Sequence, residues 1–238
     1  MVEVARVLKL ENLLECEVKR RVNRFTVEVE VDGKTAGAHL TNTGRLSEYL
    51  IRGKRGLCAL IDSPRLKYRL IAVEDQFAYA VVDTLTQQRV FEQLLAQGMI
   101  PWLSKCELFK RNFRIRGEVI DYLVKCSGVP QLVELKSSVL RVRGIYASYP
   151  DCPTERGRRQ INVLADVAAE YKPVVVFVAA LPGVVGFKPY CSGDPFILDV
   201  MKRAAERGVL FKAFSIYMVD ETGWIVLEKP DLPVVLEC

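Results

Sequence analysis

Apolar residues recur along the chain with two different periods, and the change falls near Thr84. Before it the apolar runs are short and strand-like: VARVLKLENLLECEVKR, RFTVEVEVDGKTAGAHL, GLCALIDS, YRLIAVE and FAYAVVD, broken by Gly, Asn, Asp and Pro. Successive side chains of a strand point to opposite faces, so the alternation in FTVEVEV assigns Phe25, Val27, Val29 and Val31 to one face. About five strands in roughly 80 residues predict a small β-barrel of the OB type.

After Thr84 the pattern is that of an α/β domain with a mixed sheet. TLTQQRVFEQLLAQG has helical spacing at Val90, Leu94 and Leu95 and stops at Gly98, ahead of Pro101. A second helix is predicted through TERGRRQINVLADVAAEY, with Thr154 as N-cap and Ile161, Leu164, Ala165 and Ala168 as its apolar stripe. VVVFVAAL reads as a buried strand, DPFILDVMKRAAERG as a helix ending at Gly208, and LFKAFSIYMV as a further strand. Two domains follow, 1–84 and 85–238. No long linker separates them, so they are expected to pack closely.

One strand carries a fault. In QLVELKSSVL, Val133 and Leu135 suit a buried strand, yet Glu134 and Lys136 share its other face. A lone E-x-K of this kind is usually a half-solvated face. Upstream, however, VIDYLV is a second strand carrying Asp121, and Ser127-Gly128 between the two is hairpin punctuation. A two-residue loop there sets Cys126 opposite Val129 and, five steps along, Asp121 opposite Glu134. Directly opposed side chains lie within about 5 Å of each other. Two carboxylates so close repel, and burial sharpens the repulsion. A divalent cation resolves the conflict: Asp, Glu and a backbone carbonyl suit Mg²⁺ or Mn²⁺, and a neighbouring lysine can orient water or neutralise charge on a phosphodiester in transit. The D-(x12)-E-x-K arrangement resembles the active site of the PD-(D/E)xK nucleases, with VID in place of the opening PD.

Composition adds less. Half of the residues are hydrophobic, enough for a large core, and the net charge of +5 permits a polyanionic partner without requiring one. No apolar run is long enough to span a bilayer and MVEVARVLKL lacks a signal-peptide pattern, so a cytoplasmic protein with no membrane partner is expected. Seven cysteines form no C-x-x-C pair and only one histidine, His39, is present, which argues against zinc and for reduced, buried thiols, with an internal disulfide left open if the source is a hyperthermophile.

AHLTNTGRLSEYL, VIDYLV with VELKSSVL, YPDCPTERG and DPFILDVMKRAAERGV occur in the order and spacing of the sugar fermentation stimulation protein family, and the likeness covers nearly the whole chain. That resemblance implies a DNA-binding protein with an N-terminal OB-like domain and a C-terminal PD-(D/E)xK nuclease-like domain. It makes Asp121 and Glu134 metal ligands for Mg²⁺ or Mn²⁺ and Lys136 the catalytic lysine. The implied activity is that of a metal-dependent endonuclease or exonuclease. The alternative is a non-cleaving DNA-binding regulator of sugar (maltose) metabolism genes on the same scaffold. The chain departs from the family pattern in reading Glu118-Val119-Ile120-Asp121 where Ser-Arg-Ile-Asp is common. It also has Gln160 where a histidine is usual after TERG, and Gln160 remains a candidate for positioning the site.

Glu92, on the first predicted helix, is a candidate third carboxylate, weighed against a solvated helix residue. Asp151 and Glu155 are divided between the site and simple turn and cap formation. For nucleic acid the candidates are Asn42, Thr43 and Arg45 of NTGRL, together with Arg52, Lys54, Arg55, Lys67 and Arg156. Tyr49, Tyr68 and Phe77 are candidate stacking surfaces. The NTGRL loop reads equally as a phosphate cradle or a domain contact. DNA is the expected partner, single- or double-stranded undecided, with a homodimer left open.

Overall fold

The computed structural model describes residues 4–238. The first strand, β1 (Ala5–Lys9), stands apart from the five that follow it, β2 (Leu13–Asn23), β3 (Thr26–Val31), β4 (Lys34–His39), β5 (Arg55–Leu60) and β6 (Tyr68–Asp75). These five close a barrel. β2 pairs antiparallel with β3 and β5, β3 with β4, and β5 with β6. A short parallel pairing of β4 with β6, at Ala38–Tyr68 and His39–Arg69, shuts the ring. In β3 the alternation works as read: Val27, Val29 and Val31 are buried inside. Phe25 is the exception. It precedes the strand and is 53% exposed, outside the barrel core.

β7 (Ala78–Val81) leads off the barrel into α1 (Thr84–Ala96). Asp83 caps that helix from a fully buried position: one carboxylate oxygen accepts from the Thr86 N–H at 2.8 Å and the Thr86 hydroxyl at 2.6 Å, the other from the Thr41 hydroxyl at 2.7 Å. The start of the helix is thereby tied to the barrel loop that carries NTGRL. The sheet of the α/β domain begins as an antiparallel meander of β8 (Cys106–Ile115), β9 (Glu118–Cys126) and β10 (Val129–Ser137). β11 (Leu140–Val142) and β12 (Tyr146–Tyr149) turn away from it, and the chain continues into α2 (Glu155–Asp166), α3 (Ala168–Tyr171) and β13 (Val174–Ala179). Next come β14 (Gly186–Pro189), which joins β11 and β12 in a small separate sheet, α4 (Ile197–Glu206), β15 (Leu210–Met218) and β16 (Trp224–Leu232).

β10, β13 and β15 run parallel, while β9 and β16 are antiparallel to their neighbours, so the sheet is mixed. All six residues of β13 are buried, as a parallel strand covered on both faces requires. β1 pairs antiparallel with β16, so the stretch 1–84 is not all barrel and its first strand completes the far sheet.

Three further readings change. β8 was not expected to be a strand: it is the sheet's edge, with no buried residue and a run of charges, and such an edge shows little apolar alternation. α4 begins at Ile197 rather than Asp194, because the buried Asp194 carboxylate accepts from the Thr154 and Phe196 N–H groups at 2.9 and 3.1 Å and pairs with Arg158. Nor are all the thiols free. Cys106 is bonded to Cys126, which strand pairing sets directly opposite it, and Cys191 to Cys238.

Candidate active site

The hairpin between β9 and β10 turns on Ser127 and Gly128, both with positive φ (50° and 84°), the backbone of a two-residue loop whose twist matches that of its strands. Cys126 faces Val129, and the register runs unbroken to Tyr122 opposite Val133. One step further, side chains take over from the backbone ladder. The Asp121 N–H donates to Glu134 Oε2 at 3.2 Å, and the Leu135 N–H donates to Asp121 Oδ2 at 2.8 Å. The two carboxylates are therefore inserted where the strands part.

Glu134 and Lys136 are 3% and 7% exposed. Lys136 Nζ donates to Glu134 Oε1 and to Gln160 Oε1, each at 2.7 Å. An ammonium has three donors, so one is left for a ligand. Gln160, projecting from α2, donates through Nε2 to the Val119 carbonyl at 2.9 Å. That carbonyl can only accept, which fixes the amide with its oxygen toward Lys136. Burial, then the neighbouring Glu134, push the Asp121 carboxyl from its ordinary 3.8 up to about 7, against the opposing pull of the Leu135 N–H, Lys136 and Arg156. Burial lowers the Lys136 pKa, but Glu134, Tyr149 and Asp121 outweigh it and the net direction is up. Lys136 therefore stays an ammonium, while Asp121 holds its proton well above the usual carboxylate range.

These groups form the floor of a cleft between the two domains. One compartment of about 490 Å³ holds Asp121, Glu134, Lys136 and Gln160, and an adjoining one of about 560 Å³ shares Lys136, Thr43 and Arg156 with it. The barrel supplies one wall through Arg24 and Phe25 in the turn before β3 and through Thr41 to Gly44. α1 contributes Thr84, Gln87 and Gln88, and the segment before α2 supplies the rest. Ser137, next to Lys136, ties the walls together: its hydroxyl oxygen accepts from Gln87 Nε2 at 2.9 Å and from Asn42 Nδ2 at 3.1 Å.

NTGRL turns out to be a domain contact that also lines the cleft. The Leu46 N–H donates to Asp151 Oδ2 at 2.9 Å, and a side chain at Gly44 would collide with that same carboxylate. Asp151 therefore latches the two domains, Thr154 caps α2 by accepting from the Gly157 N–H at 3.3 Å, and Asp151 and Glu155 line only the compartment that lacks the acid pair.

Among the predicted nucleic-acid contacts, Asn42, Thr43 and Arg156 line the cleft. Arg45, Arg52, Lys54, Arg55 and Lys67 do not: Lys54 donates to the Glu74 carbonyl at 3.0 Å, and Arg55 to Glu15 at 3.4 Å. Tyr49 is buried with its hydroxyl on Asp75, and Phe77 packs edge-on against Tyr217, so neither reaches the cleft. Tyr68 does not line it either. Glu92 is also corrected. Arg111 takes both its oxygens, at 2.6 and 2.7 Å, the Tyr122 hydroxyl adds a third bond at 3.1 Å, and the residue stays out of the cleft. Among the described residues no cluster of three His, Cys, Asp or Glu side chains forms. Arg24, Gln87, Ser137 and Arg159 line the cleft without having been named as candidates, and Phe25 lines it although the strand alternation assigns it to the same face as the buried Val27, Val29 and Val31. The SS after E-x-K was a readable signal for Ser137; the others depend on how the domains meet.

The fold and site define a two-part architecture, a closed OB barrel packed on an α/β domain whose mixed sheet carries an opposed acid pair beside a lysine. Residues 20–82 match the family model for the SfsA N-terminal OB domain, and residues 85–222 match that for the sugar fermentation stimulation protein RE domain. The chain belongs to the sugar fermentation stimulation protein family. A homolog of that name from Archaeoglobus fulgidus is 40% identical over 231 residues, covering 97% of this chain and all of the relative. One from Pyrococcus furiosus is 40% identical over 214 residues, covering 90% and 93%. The solved structure of Pyrococcus furiosus SfsA in complex with Ca²⁺ superposes with a TM-score of 0.93 at 38% identity, over 97% of this chain and 99% of that one. No helix among the described residues is long and apolar enough to cross a membrane.

Proposed function

We propose that this chain is a divalent-metal-dependent nuclease that binds DNA in the interdomain cleft and hydrolyses a phosphodiester bond at its floor. The observation that carries the reading is the convergence of Asp121 and Glu134 where β9 and β10 part, with Lys136 alongside. The donor set fits an oxygen-seeking cation such as Mg²⁺ or Mn²⁺: two carboxylates, with no donor among the described residues on Asp121 Oδ1, and room in the compartment for waters and phosphate oxygens. That the Pyrococcus furiosus relative was solved with Ca²⁺, another oxygen-seeking ion, supports the same reading.

A divalent ion bound there would polarise the phosphodiester and acidify an attacking water. Asp121 and Glu134 would hold it, and their mutual repulsion would be relieved by doing so. Lys136, fixed by Glu134 and Gln160, would turn its remaining N–H toward the phosphate or the water, where charge develops. Gln160 is a positioning residue, since it reaches the substrate only through Lys136. Arg24, Arg156 and Thr43 would hold the flanking strand.

The test is incubation of purified protein with end-labelled single-stranded, duplex and flap DNA, with Mg²⁺, with Mn²⁺ and with chelator. Metal-dependent cleavage by the wild type that is lost in Lys136→Ala is the expected result. Wild-type protein that binds DNA and the ion but cuts none of these substrates would replace the reading with that of a non-cleaving DNA-binding protein.

A further inference from the structure

We infer that the strand entering this site is single-stranded, and that Phe25, backed by Arg24, is the platform on which a base beside the scissile phosphate stacks. The inference rests on the nuclease reading and adds the form of the substrate and a residue that selects it.

Four phenylalanines are exposed among the described residues, and three have surface partners away from the acids: Phe77 lies against Tyr217, Phe109 under Lys125 and Phe196 under Arg158. Phe25 alone lines the compartment that holds Asp121 and Glu134. The residue is 53% exposed, with the Arg24 guanidinium over its ring, 5.7 Å from the centroid. An aromatic face next to a cation is the element that binds unpaired bases in a sequence-tolerant way.

The platform is fixed in place, although its ring is wet. The Phe25 N–H donates to Asn23 Oδ1 at 2.8 Å and its carbonyl accepts from the Leu40 N–H at 2.9 Å. Arg21 fastens the same turn to the opposite loop. Its guanidinium donates to the carbonyls of Asn23 and Arg24, each at 3.0 Å, to that of Arg45 at 2.8 Å, and to that of Gly44. One arginine thus holds the Phe25 turn and the NTGRL loop in a set relation, so little ordering cost remains for binding.

The depth of the acids selects the same substrate. Glu134 and Lys136 are nearly inaccessible, so a phosphate must descend between the barrel turn and α2 to meet them. A duplex carries its phosphates on a stiff outer surface, whereas a flexible single strand bends into such a path at little cost and turns an unpaired base toward Phe25. Compartments of about 490 and 560 Å³ match a stretch of one or two nucleotides, in the range of small-ligand sites.

The experiment measures Phe25→Ala and Phe25→Trp beside wild type, with Ca²⁺ replacing Mg²⁺ to limit turnover. Binding is followed by anisotropy on a short single strand and on its duplex, with 2-aminopurine in the single strand reporting base stacking. Mn²⁺ affinity and melting temperature are measured in parallel. Phe25→Ala should weaken single-strand binding roughly tenfold, within the range for one lost stacked base, and relieve the 2-aminopurine quenching. Phe25→Trp should retain both. Duplex binding, Mn²⁺ affinity and melting temperature should stay at wild-type values, because the ring supports no core. Unchanged single-strand affinity in Phe25→Ala, or an equal loss on duplex, overturns the inference. Wild-type protein that binds Mn²⁺ and cuts duplex as fast as single strand overturns it too, while leaving the nuclease reading in place. Wild-type protein that cuts neither form removes both.

Discussion

Asp121 lies on β9 and Glu92, on α1, is hydrogen-bonded to the next residue of that strand, Tyr122, yet their charges meet opposite treatment. Glu92 receives a two-pronged arginine and a tyrosine hydroxyl, and the Arg111 hydrogen bonds hold its pKa below the usual carboxylate range. Asp121 receives one backbone N–H, faces another acid, and is pushed up to about 7 by burial and by Glu134. Glu92 is complete as it stands. The Asp121–Glu134 pair is short of positive charge even with Lys136 counted, and a buried acid left in that condition costs stability unless something else binds to it. The contrast separates an acid satisfied within the fold from one left open to a ligand by what each still lacks, not by residue type or depth.

Removing groups from the two sites should break the symmetry between them, with the largest effect at Lys136. Lys136→Ala should reduce cleavage by about a hundred- to a thousandfold, the usual cost of a lost transition-state donor, while Mn²⁺ binding in a calorimeter persists. Gln160→Leu should act through Lys136 and cost roughly tenfold in kcat, with little change in KM or Mn²⁺ affinity. Gln160→His, which keeps a ring nitrogen able to accept from Lys136, should lose less than Gln160→Leu. If Gln160→Leu shifts KM alone, the proposed positioning role is wrong.

pH gives a third test. The Asp121 pKa is higher in the folded protein than its ordinary 3.8, so between about pH 4 and 7 the metal-free folded state holds a proton that the unfolded chain has released. The stabilisation from that proton is complete below the ordinary value and is lost as pH rises through about 7. Metal binding runs the other way, because the carboxylate must be ionised. Mn²⁺ affinity should therefore climb with pH to about 7 and then level off, with proton release detectable in buffers of different ionisation heat. Melting curves across this range with and without Mn²⁺ check both slopes, and Asp121→Asn should flatten both. Glu92→Gln, the smallest effect, should lower the melting temperature slightly and leave Mn²⁺ affinity and cleavage untouched, since Arg111 is a largely exposed partner. A large loss of metal affinity there would return Glu92 to the site.

The acid pair was legible because its register depends on local signals, the Ser127–Gly128 turn and the two-residue period of the strands. α1, the start of α2 and β13 were legible from local signals too, whereas the helix expected to run on through Tyr171 breaks at Val167 into α2 and α3. What the sequence hid was set by contacts between distant segments. β1 reads like another barrel strand until β16 is there to pair with it. Phe25 fits the alternation of Val27 and Val29, and only the turn before β3, tied by Arg21, swings it out to the cleft. The exposed cations Arg52 and Arg55 look like a nucleic-acid groove in one dimension, yet they fall away from the cleft. Arg24 reaches it only because the barrel packs on the α/β domain. Cys106 and Cys126 carry no motif, and their pairing follows from the register of a strand whose pattern gave no sign of it.

The central claim, that Asp121 and Glu134 are kept for a divalent ion, is tested most directly by calorimetric titration of Mn²⁺ into wild type, Asp121→Asn and Glu134→Gln, with metal-free melting of each. Wild type should bind the ion and both variants should lose it. Asp121→Asn should melt at or above the wild-type temperature, because the amide can still accept the Leu135 N–H while the repulsion is gone. Acid variants that bind Mn²⁺ as tightly as wild type, or an Asp121→Asn protein that melts far below it without metal, would make the pair structural and contradict the account.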